Sequence, residues 1–596
     1  MGKLDAMTVN GPDGLPLALD AGGWEAIDWA GCEEQVRRLR GRIFKAAQAG
    51  NWPKVRNLQK LMLRSRANTL VSVRQVTQRN AGRKTPGIDG AVALSSPARA
   101  AVANNVHATV RTWAPRAVKR VYIPKARDKT KLRPLGIPVI TDRCHQARVR
   151  NALEPEWEAR FEPRSYGFRP GRGCHDAIEA IFKTLCHKAA RRLWILDADL
   201  ASAFDKIDHA HLLAAIGSFP ARGLIRDWLT AGVFEPGRGF APTWEGTPQG
   251  GVISPCLLNI ALHGLEEAAG TRYFAAGTGK AGKARRGSPV LVRYADDLAA
   301  CCQTRQQAEQ VKAQLAGWLA PRGLAFNEDK TRLVHASDGF DFLGFNVRRY
   351  PNGKLLIKPA KPAVKRLRER LAAEMRRLRG ANSGVVIATL NPIIRGWAAY
   401  YRTAVASQVF SALDHYMWQL TWKWARYRHA GKPRRWVLAR YFGRFNKFRN
   451  DRWVFGNRDN GAYLLKFSWT PITRHIMVKG GASPDDPALG QYWADRQRKV
   501  KPPLDGYTLG LLSRQDGRCP LCGDHLLPPD QPPQSPSQWE RWWLQVIRQA
   551  ITHDYLVHHA RPGPPGGNQA RLVHASCHRR NPAPHSASLN RPLGLA

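Results

Sequence analysis

Between Pro289 and Cys302 the chain reads PVLVRYADDLAACC, two apolar runs separated by a pair of adjacent aspartates. Short apolar runs of this kind are strands bounded by a turn. Successive residues of a strand face opposite ways, so Asp296 and Asp297 on a straight strand could not serve one site. A tight hairpin turn at Ala295–Asp297 removes that conflict and sets the carboxylates at a hairpin tip. Adjacent aspartates are also common at loops and caps, so the motif alone decides little. A second carboxylate source decides more. In LWILDADLASAFDKIDH the apolar run Leu193–Leu196 leads into Asp197 and Asp199, which share a face at the end of a strand. Two-metal phosphoryl transfer needs carboxylates from separate elements to hold two Mg²⁺ roughly 4 Å apart. A strand end facing a carboxylate hairpin meets that need.

Charge narrows the class of partner. Lys plus Arg number 93 against 46 for Asp plus Glu, a net +47 over 596 residues. An excess of that size says little about fold and points to a polyanionic partner. The competing class is a structural basic protein. No apolar run is long enough to span a membrane, and the first residues lack the apolar core of a secretory signal, so the expectation is a cytoplasmic protein. Cysteine usage agrees. Cys32, Cys144, Cys174, Cys186, Cys256, Cys301 and Cys302 are scattered and read as small buried residues, whereas the last three cysteines stand at metal-ligand spacing.

Along the chain, 1–80 reads as a helical N-terminal extension, with Val36, Leu39 and Ile43 on one helical face. TPGIDG (85–90) is turn chemistry opening the next region. From about 118 to 350, strand-like runs (VKRVYIP, RRLWILDADL, FDFLGFNV) alternate with helical ones (HDAIEAIFKTL, RQQAEQVKAQLAGWLA), an α+β pattern. Residues 361–379 form the cleanest helix. Val364, Leu367, Leu371, Met375 and Leu378 make its apolar stripe, and the cations covering the remainder far outnumber its acids. A solvated face is one account of them and nucleic-acid contact the other. Residues 395–445 are dense in Trp, Tyr and Arg. A helical core explains part of that, and stacking of rings and guanidinium planes on RNA bases another part. The Gly/Pro/Asp stretch 480–490 has a hinge composition, and 528–538 that of a disordered loop.

QDGRCPLCG (515–523) carries a CxxC knuckle, and HASCH (574–578) follows about fifty residues later. Cys519, Cys522, His574 and Cys577 at this spacing suit a closed, structural Zn²⁺ site better than a redox pair.

Taken in order, TPGIDG, RPLGIP (133–138), SYGFRPGRG (165–173), DLASAFDKIDH (199–209), GTPQGGVISP (246–255), YADD (294–297), KT (330–331) and GFDFLGF (339–345) resemble the group II intron-encoded proteins, reverse transcriptases fused to a maturase domain. The resemblance runs from about residue 24 to 500 and again from 505 to 585. It implies a multidomain α+β protein. Fingers and palm of a right-hand polymerase occupy 81–355, a helical thumb/maturase domain 356–450, a DNA-binding segment and hinge 451–500, and a small zinc-stapled ββα-metal (HNH) endonuclease 505–596. It also implies roles for single residues. Asp199, Asp296 and Asp297 would ligate the catalytic Mg²⁺. Phe204 would pack under the incoming sugar and exclude a 2′-OH. Lys125 and Arg133 would grip the triphosphate. Gln249 and Gly250 would let backbone and amide approach the nucleotide, and Lys330 would protonate pyrophosphate or simply face phosphate.

In the last module, VHHARPGPPGGNQARLVHASCHRR resembles the HNH endonucleases fused to many such proteins. His558 and His578 would hold a divalent nuclease metal, and His559 would activate water. Two positions depart from that pattern. Gln569 stands where an Asn is usual, with Asn568 one place earlier, and Pro582 replaces a histidine. The implied partners are intron RNA, target DNA in the nucleoid, dNTPs and no membrane, with a homodimer left open. The implied function is reverse transcription, assistance to intron splicing, and nicking of target DNA to prime synthesis. Three alternatives stay open: an HNH module that only binds DNA, a pure splicing factor on an inactive polymerase fold, and a retron- or CRISPR-associated enzyme.

Overall fold

The computed structural model describes residues 19, 23–124, 132–274, 282–446, 448–499, 502–504, 506–523, 525–527, 533–548, 551–556, 569–574 and 577. The chain divides into two compact units. The first comprises 1–172, 191–333 and 478–494; the second comprises 173–190, 334–477 and 495–596.

In the first unit, helices Trp29–Gln48, Trp52–Arg64 and Arg66–Arg74 lead the chain. Asn51 caps the second by accepting a hydrogen bond from the Lys54 N–H, with Pro53 in the first turn, where its missing N–H costs nothing. Val36, Ile43, Val55, Leu58 and Met62 from these helices pack on the long buried helix Ile140–Glu158. Eight strands follow: β1 (Val118–Pro124), β2 (Leu132–Ile137), β3 (Trp194–Asp199), β4 (Val233–Glu235), β5 (Gly239–Ala241), β6 (Val290–Tyr294), β7 (Asp297–Cys302) and β8 (Arg332–His335), whose last two residues pass into the second unit. They make two four-stranded sheets, in the orders β2-β1-β4-β5 and β6-β7-β3-β8. The strands read from VKRVYIP, WILDAD and the YADD hairpin are β1, β3 and β6–β7.

Several arginines lie inside this unit. Arg169 and Glu158 are buried and bonded in bidentate fashion, Nε to Oε1 and Nη2 to Oε2, both at 2.9 Å. Arg172 donates to the Gly480 and Ala482 carbonyls, and Arg40 forks onto Asp485. These two arginines hold part of the stretch 480–490. Ala482, Ser483 and Asp485 are buried, while Gly480, Gly481, Pro484, Pro487, Ala488 and Gly490 stay exposed.

In the second unit, β9 (Phe340–Phe342), β10 (Phe345–Arg349) and β11 (Leu355–Pro359) form a sheet in the order β11-β10-β9. Leu343 and Gly344 turn between β9 and β10 at positive φ. Helices Lys361–Arg377, Ser383–Tyr401 and Ser407–Arg428 follow. Tyr400 and Tyr401 donate to the Leu343 and Gly344 carbonyls, and Phe345 is buried between their rings. The tyrosines of RGWAAYYR are therefore core. β12 (Phe442–Gly443) pairs with β13 (Val454–Phe455), and β14 (Ile551–Leu556) with β15 (Gln569–His574), both antiparallel. Of the loop-like stretch 528–538, the part from Pro536 opens the helix Pro536–Arg548, which packs on Ser383–Tyr401. Gly396 is required there, since a Cβ on it would lie 2.6 Å from the Glu540 nitrogen. Glu540 also accepts both forks of Arg370. Among the described residues no helix is long and apolar enough to cross a membrane.

Candidate active site and metal centre

β3 and β7 run antiparallel with Asp199 opposite Asp297, and β6 closes the hairpin with Tyr294 opposite Asp297. Ala295 and Asp296 are left as a two-residue turn, Ala295 at φ +57°. A turn of this length reverses the chain without splaying the strands. Asp296 thereby joins the end of the sheet where Asp199 and Asp297 already meet. Lys330 ion-pairs with Asp199, and the Asn327 N–H donates to the Asp199 carbonyl at 2.8 Å. Burial raises the Asp296 carboxyl above its ordinary value, and the Asp199 charge adds to it. A backbone hydrogen bond, Arg133 and Lys330 pull the other way. Burial is the largest of these causes, so the carboxyl is held up mainly by its removal from water, with the Asp199 charge adding to it.

The turn is held from beneath by Arg293 and Asn259, which no motif marked, and by Gly167 of SYGFRPGRG. Arg293, buried in β6, donates to Asn259 Oδ1 at 3.0 Å and to the Ala295 carbonyl at 3.3 Å. Asn259 in turn donates to the Gly167 carbonyl at 2.9 Å. Gly167 presses on the turn, since a Cβ there would come 2.3 Å from the Ala295 nitrogen. The one available signal for Arg293 was a charged residue inside an otherwise apolar strand.

The other sequence-derived positions lie in the same unit. Phe204 is half-buried, edge-on to Phe168 at 6.1 Å between ring centres, and its carbonyl accepts from the Thr247 N–H at 2.6 Å. Gln249 donates to Asp205 at 3.3 Å, and its carbonyl accepts from the Gly136 N–H at 2.8 Å. Gly250 sits at φ +127°, where a Cβ would come 2.6 Å from the Gly136 carbonyl oxygen. RPLGIP and PQGG therefore touch through glycines. Arg133, exposed on β2, reaches the site through its charge on Asp296. Lys125 lies outside the described residues.

In the second unit, Cys519, Cys522, His574 and Cys577 place their ligand atoms within 4.8 Å of one another. His574 Nδ1 is 3.4 Å from Cys522 Sγ and 3.9 Å from Cys577 Sγ. A tetrahedral zinc has N···S edges of about 3.5 Å, from its bond lengths. His574 Nε2 is 3.2 Å from the His525 carbonyl, which can only accept, so Nε2 carries the proton and Nδ1 presents its lone pair to the cluster. Burial opposes ionisation of Cys519, but hydrogen bonding with the His574 side chain and with backbone N–H groups including those of His574, Leu521 and Cys522 outweighs it and holds the thiol below its ordinary value. Gln515, the first residue of QDGRCPLCG, clamps the knuckle to β15: its amide donates to the Leu572 carbonyl and accepts from the Leu572 N–H. The four side chains are placed to hold a metal ion. His558, His559, His578, Asn568 and Pro582 lie outside the described residues, as does the side chain of Gln569.

A sheet that brings three aspartates from a strand end and a hairpin to one place, beside lysine and arginine, is the arrangement that metal-dependent nucleic-acid polymerases require. Comparison with known proteins makes this specific. Residues 123–347 match the reverse transcriptase (RNA-dependent DNA polymerase) domain, 24–106 the N-terminal domain of reverse transcriptase, and 364–442 the group II intron maturase-specific domain. The chain is 35% identical over 336 residues to protein YkfC of Escherichia coli, which covers 51% of this chain and 86% of YkfC. It is 41% identical over 160 residues to the group II intron-encoded protein LtrA of Lactococcus lactis, a match spanning 26% of each. Maturase-like protein 1 of Euglena gracilis is 25% identical over 381 residues, 62% of this chain and 76% of that one. The chain belongs to the group II intron family of reverse transcriptases with a maturase domain.

The raised Asp296 carboxyl has a sign that can be checked. The unfolded chain releases this proton at the ordinary value of 3.8, and the folded protein holds it to higher pH. Metal-free stability therefore falls as pH rises between the two values and stays reduced above them. Asp296→Asn should raise the melting temperature of metal-free protein at pH 7, and the gain should shrink as pH approaches 3.8. Mg²⁺ should stabilise the wild type more than the variant. A variant that melts below wild type at pH 7 without metal contradicts the cost of ionising Asp296 in the fold.

Proposed function

We propose that this chain is an RNA-directed DNA polymerase of a group II intron that assists the splicing of its own intron RNA and nicks target DNA to prime synthesis. The observation that carries the polymerase reading is Asp199 paired across the sheet with Asp297, with Asp296 in the adjoining turn. Hard carboxylate oxygens suit Mg²⁺, and burial beside Asp199 makes the ionised Asp296 costly until a cation is bound. Bound there, Mg²⁺ would acidify the primer 3′-OH and offset charge on the triphosphate. The chain's own residues do the positioning. Arg133, with Lys125, grips the triphosphate as fixed positive charge. The Phe204 ring lies under the sugar and excludes a 2′-OH. Gln249 and Gly250 bring amide and backbone against the nucleotide. Lys330, held on Asp199, is in place to pass a proton to pyrophosphate. Fingers, palm and thumb are the natural names for the parts of such a polymerase, and residues 364–442, matching the maturase-specific domain, are the part that binds intron RNA.

The C-terminal proposal is an HNH endonuclease stapled by Zn²⁺ at Cys519, Cys522, His574 and Cys577. Three thiols and one imidazole are a zinc donor set. The order β14, β15 and then the Cys577 ligand fits a ββα-metal module. His558 and His578 would hold the nuclease metal and His559 would activate water.

Asp296→Ala should lower primer extension on RNA templates about a thousandfold or more, the scale of losing several kcal/mol of charge stabilisation. It should leave splicing of the intron RNA intact, because the RNA supplies that chemistry and the protein supports its fold. Substantial cDNA from this variant contradicts the assignment, and so does loss of splicing with RNA binding retained.

The nuclease module separates two kinds of variant. His559→Ala should stop nicking of target DNA while zinc content and protease resistance of 505–596 stay at wild-type levels. Cys519→Ala should lose zinc, protease resistance and nicking together, since the metal carries much of a small domain's stability. Primer extension should persist in both. If wild-type protein with intron RNA, Mg²⁺ and its target never nicks, the module is a DNA-binding clamp.

A further inference from the structure

The aromatic residues of the maturase region divide into those spent on the core and those that line a pocket. Helix Ser407–Arg428 presents Asp414, Met417, Trp418 and Thr421 along one face, at the three- and four-residue spacing of neighbours on a helix. Across from them stand Phe442 and Phe455, partners in the β12–β13 pair, together with Trp453 and Lys466. The space enclosed is about 450 Å³. That falls within the range of small-molecule clefts, roughly 300–1,000 Å³.

The walls suit a flat ring. Trp418 and Trp453 meet nearly at right angles, 84°, with ring centres 6.3 Å apart, so they form a corner offering one indole face and one edge. Trp453 is 55% exposed, an unusual cost for a large indole unless something covers it. The buried Trp418 indole N–H has no hydrogen-bond partner among the described residues. Two polar groups of the lining are already committed. Asp414 accepts from the Phe467 and Ser468 N–H groups, and Thr421 donates to the Met417 carbonyl. Charge identifies the class of occupant. Residues 442–466 carry Arg444, Lys447, Arg449, Arg452, Arg458 and Lys466 against Asp451 and Asp459. An apolar peptide has no use for that excess, and a nucleotide has. Lys466 lines the pocket and uses one ammonium hydrogen on Asp451 at 2.6 Å, leaving two for a phosphate.

We propose that this pocket seats one unstacked nucleobase of single-stranded RNA, the ring stacked on Trp453 against the edge of Trp418, and its phosphate toward Lys466. The proposal rests on the reading that this part of the chain binds intron RNA, and it adds the place where a base is read out of the stack. Splayed bases on aromatic platforms are how proteins hold single-stranded RNA.

The test is a double-mutant cycle on the full-length protein. Affinity is measured for a 12-nucleotide oligoadenylate RNA, for an abasic ribose-phosphate chain of the same length, and for the oligodeoxyadenylate. Each is bound to wild type, Trp453→Ala and Trp453→Phe. Wild type should prefer the base-bearing RNA, and Trp453→Ala should reduce that preference about tenfold, the usual scale for one base on one ring. Affinity for the abasic chain should not change. Trp453→Phe keeps a ring and should fall between the two, with the melting temperature of each variant confirming the fold. The pocket is overturned if wild type binds the two RNA chains equally or if Trp453→Ala leaves the preference intact. An equal effect on the oligodeoxyadenylate at equal affinity overturns the assignment to RNA. Failure of wild type to bind the intron RNA itself, with the steep salt dependence of phosphate contacts, overturns the broader reading as well.

Discussion

Asp199 and Asp297 face each other across adjoining strands, and Asp296 sits in the turn that joins one of those strands to the next. Like charges this close repel, and partial burial strengthens the repulsion. A chain would not keep such a group together through its own attractions, so the surroundings must impose it. The imposition is visible. Arg293 and Asn259 bond the turn from within, Gly167 is small enough to lie against it, and the β3–β7 register leaves no freedom in which residues meet. Lys330 and Arg133 offset part of the charge. The remainder is a cost in stability, the usual relation between a functional site and the fold around it.

The same logic runs in the opposite sense at the C-terminal cluster. There the side chains are soft donors, and hydrogen bonds hold the Cys519 thiol below its ordinary value. A metal ion would link the knuckle to β15, which is already joined to it through Gln515. The Trp- and Tyr-rich region carries both kinds of aromatic residue. Trp397, Tyr400 and Tyr401 are buried, and the two tyrosines tie helix to sheet, whereas Tyr427 and Trp453 stand exposed.

Much of this was legible in the sequence because its physics is local. Two adjacent aspartates between apolar runs demand a turn, and the turn is there. Period-two and period-3.6 patterns located β1, β3 and the helix Lys361–Arg377, since each pattern follows from geometry within one element. What escaped depended on partners distant in the chain. Residues 480–490 look like a hinge until Arg40 and Arg172 are seen bonded to them. Arg293 is a single cation in an apolar strand, and nothing nearby in sequence says that its acceptors are Asn259 and the Ala295 carbonyl. Gly396 reads as an ordinary helix glycine until Glu540 is found against it. Aromatic density in 395–445 could not sort core from surface, because spacing shows which residues share a face and not what covers that face.

The central claim is that Asp199, Asp296 and Asp297 form one binding site for two divalent cations. It can be tested by counting them. Full-length protein is held on an RNA template with a dideoxy-terminated DNA primer and the matching dNTP, and bound Mn²⁺ is measured by electron paramagnetic resonance. The account predicts two tightly bound, mutually coupled Mn²⁺ ions per chain. It predicts that Asp199→Asn and Asp296→Asn each abolish the coupled signal while primer–template affinity stays within about threefold, a difference under 1 kcal/mol. A coupled pair that survives either substitution would contradict it.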